Sequence, residues 1–237
     1  MLLLGLDTAT KRVGVALANE HGLLGRVELG GPATVGPPRH AETLAPAIAW
    51  CLEKCDAQPA QVSAVAVGIG PGMFTGLRVG VTTAKIFAQA LRIPVIPIPS
   101  LDLLAYPLRH AHGLVVATID ARRHELYWAM YRPVPGGVQR VSEYELGSPE
   151  DLVAELQARG EEALVCGDGG LRFPDAFAEL GRRVELTGPA HASPSLTALV
   201  ELARARFERE EFVAPRDVLP MYLRRSDAEL EWDRKGA

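Results

Sequence analysis

The chain has 237 residues, room for one large domain or for two lobes of roughly 100–150 residues each. Its 48% hydrophobic and 23% charged residues describe an ordinary globular protein, and a net charge of -4 sets aside a protein that grips nucleic acid unaided. Three cysteines in no pairing pattern (Cys51, Cys55 and Cys166) set aside a disulfide framework and point to a reducing compartment. No apolar run reaches the ~18 residues of a membrane span, and the opening MLLLGLDTAT lacks the basic flank of a signal peptide. The expected location is the cytoplasm.

Leu2–Asp7 (LLLGLD), Arg12–Ala18 (RVGVALA) and Leu23–Leu29 (LLGRVEL) read as three short strands, parted by Asp7-Thr8-Ala9-Thr10 and Asn19-Glu20-His21-Gly22. A helical pattern runs from His40 to Cys55, then an apolar strand from Val62 to Ile69, a helix from Leu77 to Leu91 and a strand from Ile93 to Ile98. The plan then recurs. Leu114–Asp120, Glu125–Tyr131 and Val138–Leu146 form a second meander, followed by a helix at Pro149–Arg159, a strand at Ala163–Gly167 and a helix at Ser195–Arg209. Laid over one another, Asp7 falls on Asp120, Val13 on Leu126 and Ala16 on Ala129. Two copies of β-β-β-α-β-α predict an internal duplication. The expected lobes are residues 1–100, rejoined by the C-terminal segment 210–237, and residues 101–209.

Two such α/β lobes describe the actin-like ATPase architecture of sugar kinases and Hsp70. In that architecture the turn after the first strand faces a phosphate in the cleft between lobes. Asp7, Thr8 and Thr10 stand at that turn, Asp120 is the counterpart of Asp7, and Gly169 and Gly170 of GDGG are the nucleotide candidates of the second lobe. Each has a plainer alternative: an Asp that closes a strand also caps a turn, and GDGG also ends a strand.

The densest glycine cluster, GIGPGMFTGLRVG (Gly68–Gly80), follows the strand that ends at Ile69. It fits neither phosphate signature. A P-loop needs a lysine where Leu77 follows Gly76, and the dinucleotide spacing fails at Met73. On the following helix Gly76, Gly80, Ala84 and Ala88 recur every fourth residue as a smooth ridge, with Phe74 and Leu77 beside its start. The helix before it, which His40 opens, carries Leu44, Ile48 and Cys51 on an apolar face, with Trp50 on another side. Such a ridge serves packing within a lobe or close approach of a second protein. Two helices with this much small or apolar surface suggest an intermolecular bundle. On that reading a bulky residue at Gly80 blocks the partner while the lobe stays folded.

GPGMFTGLRVG resembles the GPGSFTGLR signature of the TsaB (YeaZ) family of tRNA threonylcarbamoyladenosine biosynthesis. LDTAT, DARRHELYWA (Asp120–Ala129) and PMYLRR (Pro220–Arg225) match further family segments in order along the chain; the family prefers Asp-Thr-Ser where this chain has Asp7-Thr8-Ala9. The resemblance implies a non-catalytic relative of the transferase TsaD. Such a subunit pairs with TsaD through a helical bundle of first lobes, is joined by the ATPase TsaE, and pairs with itself when alone. It meets tRNA only through the complex. TsaD-type enzymes hold a metal with a His-x-x-x-His pair; here His40 is present but Leu44 stands four residues on, so no metal or other cofactor is expected. The alternative is an ATP-binding, ATP-hydrolysing or protease-like enzyme of the same architecture. Residual nucleotide binding without turnover is compatible with the non-catalytic reading.

Overall fold

Two mixed β-sheets organise the chain, whose computed structural model describes residues 1–31, 36 and 39–224. The first is built from β1 (Leu2–Asp7), β2 (Arg12–Asn19), β3 (Gly22–Gly30), β4 (Ala64–Gly68) and β5 (Val95–Ile98), in the order β3-β2-β1-β4-β5. Its first three strands are antiparallel neighbours, and β4 and β5 extend it in parallel. Helices α1 (His40–Lys54) and α2 (Phe74–Leu91) make the long crossovers that parallel neighbours require. The second sheet contains β6 (Leu114–Arg122), β7 (Glu125–Val134), β8 (Gly137–Arg140), β9 (Glu145–Gly147), β10 (Ala163–Cys166) and β11 (Val184–Leu186). Its order is β11-β10-β6-β7-β8, with β9 also on β7. The two orders superpose strand for strand, so the internal duplication is present in the topology. This is the two-lobe actin-like ATPase fold.

The helices reveal an exchange. The remaining ones are α3 (Ser100–Ala105), α4 (Pro149–Arg159), α5 (Asp168–Arg172), α6 (Pro174–Ala178) and α7 (Leu196–Glu208). One face of the first sheet, with Leu4, Leu6, Val15, Val65 and Val67, is covered by α1 and α2. The other face carries small residues, Ala16, Ala18, Ala64 and Ala66, and α7 fills it. The fit is close: a Cβ added at Gly14 would lie 2.7 Å from the Leu196 side chain. The second sheet presents a similar seat, Ala117, Ala121 and Ala129, and there α3 lies, with Leu101, Leu104 and Ala105. Its far face packs on α4 through Leu152, Val153 and Leu156. The expectation that Ser195–Arg209 completes the second lobe is therefore corrected. Each sheet's small-residue face is filled by the helix that follows the other half's last strand, so residues 101–209 are not one unit.

Two local expectations also change. Ala16 and Ala129 both lie on the small-residue faces, as expected, but they pair with Gly5 and Ala117, so the register puts Thr8, not Asp7, on Asp120. Val13 and Leu126 likewise share the opposite face, beneath α1 and α2 in one sheet and beneath α4 in the other, as expected. Counted between those two alanine pairings, the β6–β7 connection is one residue longer than the β1–β2 connection. Val138–Leu146 is two strands rather than one, since β8 pairs with the end of β7 and β9 with its start.

A polar pin holds α3 to the second sheet. Asp102 Oδ1 accepts hydrogen bonds from Tyr131 Oη and Tyr144 Oη, both at 2.8 Å, and burial holds the Asp102 carboxyl above its usual range. Removing one donor leaves part of a buried carboxylate unsatisfied. Tyr131→Phe is expected to lower unfolding free energy by about 1–2 kcal/mol in a urea titration; an unchanged midpoint would remove Asp102 as the anchor of α3.

The C-terminal segment first follows the first lobe. Val213 bridges Val95, Val218 is buried in the core beneath α2, and Met221 N–H donates to Ile69 O at 2.7 Å. It then crosses: Leu223 packs against the α3 seat, and Arg224 Nη1 donates to Ala121 O at 2.8 Å. Arg225 and the rest of the expected segment to 237 lie outside the described residues. No described helix is long and apolar enough to cross a membrane.

Candidate functional site

The first strand delivers Asp7 to a turn that the protein itself occupies. Asp7 Oδ1 accepts from Ala9 N–H at 3.2 Å and Oδ2 from Ser100 Oγ at 3.1 Å. Burial pushes its carboxyl up to about 6, against the pull of those hydrogen bonds and of Arg12. Thr8 Oγ1 donates to Gly76 O at 2.7 Å, and Met73 N–H donates to Ala9 O at 2.7 Å. His40, at the start of α1, meets Thr10 O through Nε2 at 2.8 Å. Burial lowers the His40 pKa, which favours the neutral ring, so Nε2–H is the donor. Asp7, Thr8, Thr10 and His40 are all buried.

The glycines explain how the chain closes so tightly over this turn. A Cβ at Gly72 would lie 2.3 Å from Ala9 O, one at Gly76 2.1 Å from Thr8 O, and one at Gly80 2.2 Å from Thr8 Oγ1. A Cβ at Gly68 would overlap Asp7 Oδ2 at 1.9 Å. The glycine turn and the first two turns of α2 thus lie directly on Asp7-Thr8-Ala9-Thr10. No open surface for a phosphate is left there.

That geometry corrects the expected interface. Gly76, Leu77, Gly80 and Ala84 on α2, and His40, Leu44, Ile48 and Cys51 on α1, are buried inside the chain's own first lobe. Only Phe74 of the nine is partly exposed, its ring 5.0 Å from that of Tyr222. The smooth ridge is consumed within the lobe, Gly76 and Gly80 against Thr8 and Ala84 and Ala88 in the core beneath α2. The outward faces are different rows: Ala41, Ala45, Ala49 and Trp50 on α1, and Thr82, Ile86 and Ala90 on α2. Trp50 is 52% exposed and Ile86 64%. Both α2 rows have a period of four, so spacing gives the rows but not which one is covered.

On the second lobe, Asp120 Oδ1 accepts from Arg122 N–H at 2.9 Å, and Oδ2 lies 3.4 Å from Arg172 Nη1. Asp120 N–H donates to Asp168 Oδ1 at 3.0 Å, and burial pushes the Asp168 carboxyl up to about 6. Gly169 and Gly170 are packing residues: Gly170 N–H donates to Thr118 Oγ1 at 2.8 Å, and a Cβ at Gly169 would meet Thr118 Cβ at 3.0 Å. A Cβ at Gly170 would meet Val165 of β10 at 2.8 Å. The Cys51 and Cys166 thiols are pushed by burial up to about 11 and about 12, which makes them poor nucleophiles. Among the described residues no group of three or more His, Cys, Asp or Glu could hold a metal ion.

What opens between the lobes is a cavity of about 450 Å³, walled by Gly72–Arg78, the β6–β7 turn and Met221–Arg224. Of the six cleft residues expected from the sequence, only Asp120 lines it. The other lining side chains include Phe74, Arg78, Arg122, Arg123, Tyr127, Tyr222 and Arg224, which the cleft expectation did not contain. A signal was available: GPGMFTGLRVG, DARRHELYWA and PMYLRR each supply one wall.

The fold and this closed turn define an actin-like two-lobe protein whose phosphate position is filled by its own glycine helix. A family model described as TsaD, tRNA N6-adenosine threonylcarbamoyltransferase, matches residues 34–232. The tRNA threonylcarbamoyladenosine biosynthesis protein TsaB of Bacillus subtilis (strain 168) is 30% identical over 98% of both chains. That of Escherichia coli (strain K12) is 30% identical over 96% of each. The solved structure of YeaZ from Pseudomonas aeruginosa superposes with a TM-score of 0.76 at 28% identity, over 94% of this chain and 99% of that one. The chain belongs to the TsaB (YeaZ) family, whose named members act in tRNA threonylcarbamoyladenosine biosynthesis.

Proposed function

We propose that this chain is a non-catalytic subunit that binds and activates a TsaD-type transferase, with TsaE in the same assembly. The product is threonylcarbamoylated adenosine beside the tRNA anticodon, and tRNA is met only through the complex, in the cytoplasm. The observation that carries this reading is the closed turn: Thr8 and Thr10 are buried, and α2 lies on them through Gly76 and Gly80. An ATP-hydrolysing or protease-like enzyme would need that turn, or another reacting group, open to its substrate. The contact surface is the outward side of α1 and α2, where Trp50 and Ile86 are exposed. Aromatic and aliphatic anchors of this kind suit a protein partner. The same side serves a second copy of the chain when TsaD is absent.

Light scattering on a sizing column tests this with the chain alone and after mixing with TsaD. A homodimer that gives way to a heterodimer is the expected result; a monomer that ignores TsaD ends the reading. Ile86→Arg places a charge on an exposed helix position, so the thermal midpoint is expected to stay unchanged. Both assemblies should weaken at least about tenfold. Full assembly by this variant would move the interface off α2.

A further inference from the structure

The interlobe cavity has a composition that the subunit reading does not use. Four guanidinium groups line it, Arg78, Arg122, Arg123 and Arg224, of which Arg122 is paired with Asp120 and Arg224 with Glu125. Arg78 makes no ion pair among the described residues, and its guanidinium sits 4.0 Å from the centre of the Phe74 ring. Phe74 in turn leans on Tyr222, with ring centres 5.0 Å apart and planes at 37°. On the opposite wall, Arg122, Arg123 and His124 hold φ angles of 64°, 54° and 59° in succession. Three non-glycine residues in a row in the left-handed region are strained, and such strain persists only where surrounding structure enforces it. It carries two arginines to the cavity wall.

These parts suit one chemistry. Guanidinium groups bind phosphate oxygens in pairs, and their charge persists at every physiological pH. The amino end of α2, with no side-chain cap and no acidic residue in its first turn, adds backbone donors to the same wall. Aromatic faces and the plane of Arg78 offer stacking for a flat heterocycle. A volume of about 450 Å³ exceeds what inorganic phosphate needs and falls within the range of small-molecule sites. We infer that the cavity binds a nucleoside phosphate, with its phosphate on Arg78 and the amino end of α2 and its base against Phe74 and Tyr222. The site is distinct from the closed turn at Asp7, and it stands whether or not the chain binds TsaD.

Titration calorimetry on the full chain alone tests it with four probes: AMP, inorganic phosphate, adenosine and a six-nucleotide oligoadenylate RNA. AMP is expected to bind more tightly than phosphate or adenosine, and Arg78→Ala to weaken it about tenfold. Arg78 is exposed, so this variant should keep the wild-type thermal midpoint. If the oligonucleotide binds with the same Arg78 dependence while AMP does not, the nucleoside phosphate is one within an RNA strand. Equal binding of phosphate and AMP, no binding of any probe, or binding unchanged by Arg78→Ala overturns the inference.

Discussion

Gly76→Val is expected to destabilise the chain by about 3 kcal/mol or more, read from urea unfolding. Helix propensity alone argues the other way, since nearly any residue outranks glycine in a helix interior by up to about 1 kcal/mol. Sterics decide the sign. The added Cβ would sit 2.1 Å from Thr8 O, a backbone oxygen at the end of the central strand that no rotamer change can move. Separating the two segments also breaks the bond from Thr8 Oγ1 to Gly76 O. At Gly80 the obstacle is the Thr8 hydroxyl itself, so a bulky residue there also disturbs the fold, contrary to the expectation that the lobe tolerates it. A Gly76→Val protein as stable as wild type would mean that α2 can lift off the turn without loss.

Asp7→Asn is expected to stabilise the protein above pH 6 by up to about 3 kcal/mol. The sign follows from the direction of the shift. Burial raises the Asp7 carboxyl from 3.8 to about 6, so the folded chain holds this proton more tightly than the unfolded one. The stability tied to that proton is complete below pH 3.8 and is lost as pH rises through about 6. Asparagine carries no charge to bury. It can still accept from Ala9 N–H and can offer its amide to Ser100 Oγ. The advantage of the variant should therefore be full at pH 8, shrink through pH 5 and vanish near pH 4 in parallel urea titrations. Asp168 and His40 titrate in both proteins and cancel. A variant less stable than wild type at pH 8 would show that the carboxylate is held by attraction stronger than its burial.

The strands of the two hairpins and the helices α1, α2, α4 and α7 were legible because each shows several periods of its pattern. Those that escaped, α3, α5, α6 and β11, have only three to six residues, too few for periodicity to register. GDGG read as a loop, yet Asp168–Arg172 is one turn of helix seated on Thr118. The alternation of Ala64-Val65-Ala66-Val67 held more than it seemed to: valines meet α1 and α2, and alanines mark where another helix must lie close. Which helix lies there is a long-range fact, and α7 is some 130 residues away in sequence, as Ala66 and Leu196 show. The candidate site escaped for the same reason. Its arginines belong to three segments that only the fold assembles, while Asp7 and Thr8, correctly placed at the first turn, proved to be covered.

The traded helices α3 and α7 change what the duplication means. A fragment ending after β5 would keep α1 and α2 but leave Leu3, Ala66 and Ile98 facing water. A fragment beginning at β6 would lack the helix that covers Val115, Ala117 and Tyr131. Neither copy is now self-sufficient, so the halves cannot be lost, shuffled or inherited separately. The two repeats are mutually obligate, so a change in the helix or seat of one half is felt in the core of the other.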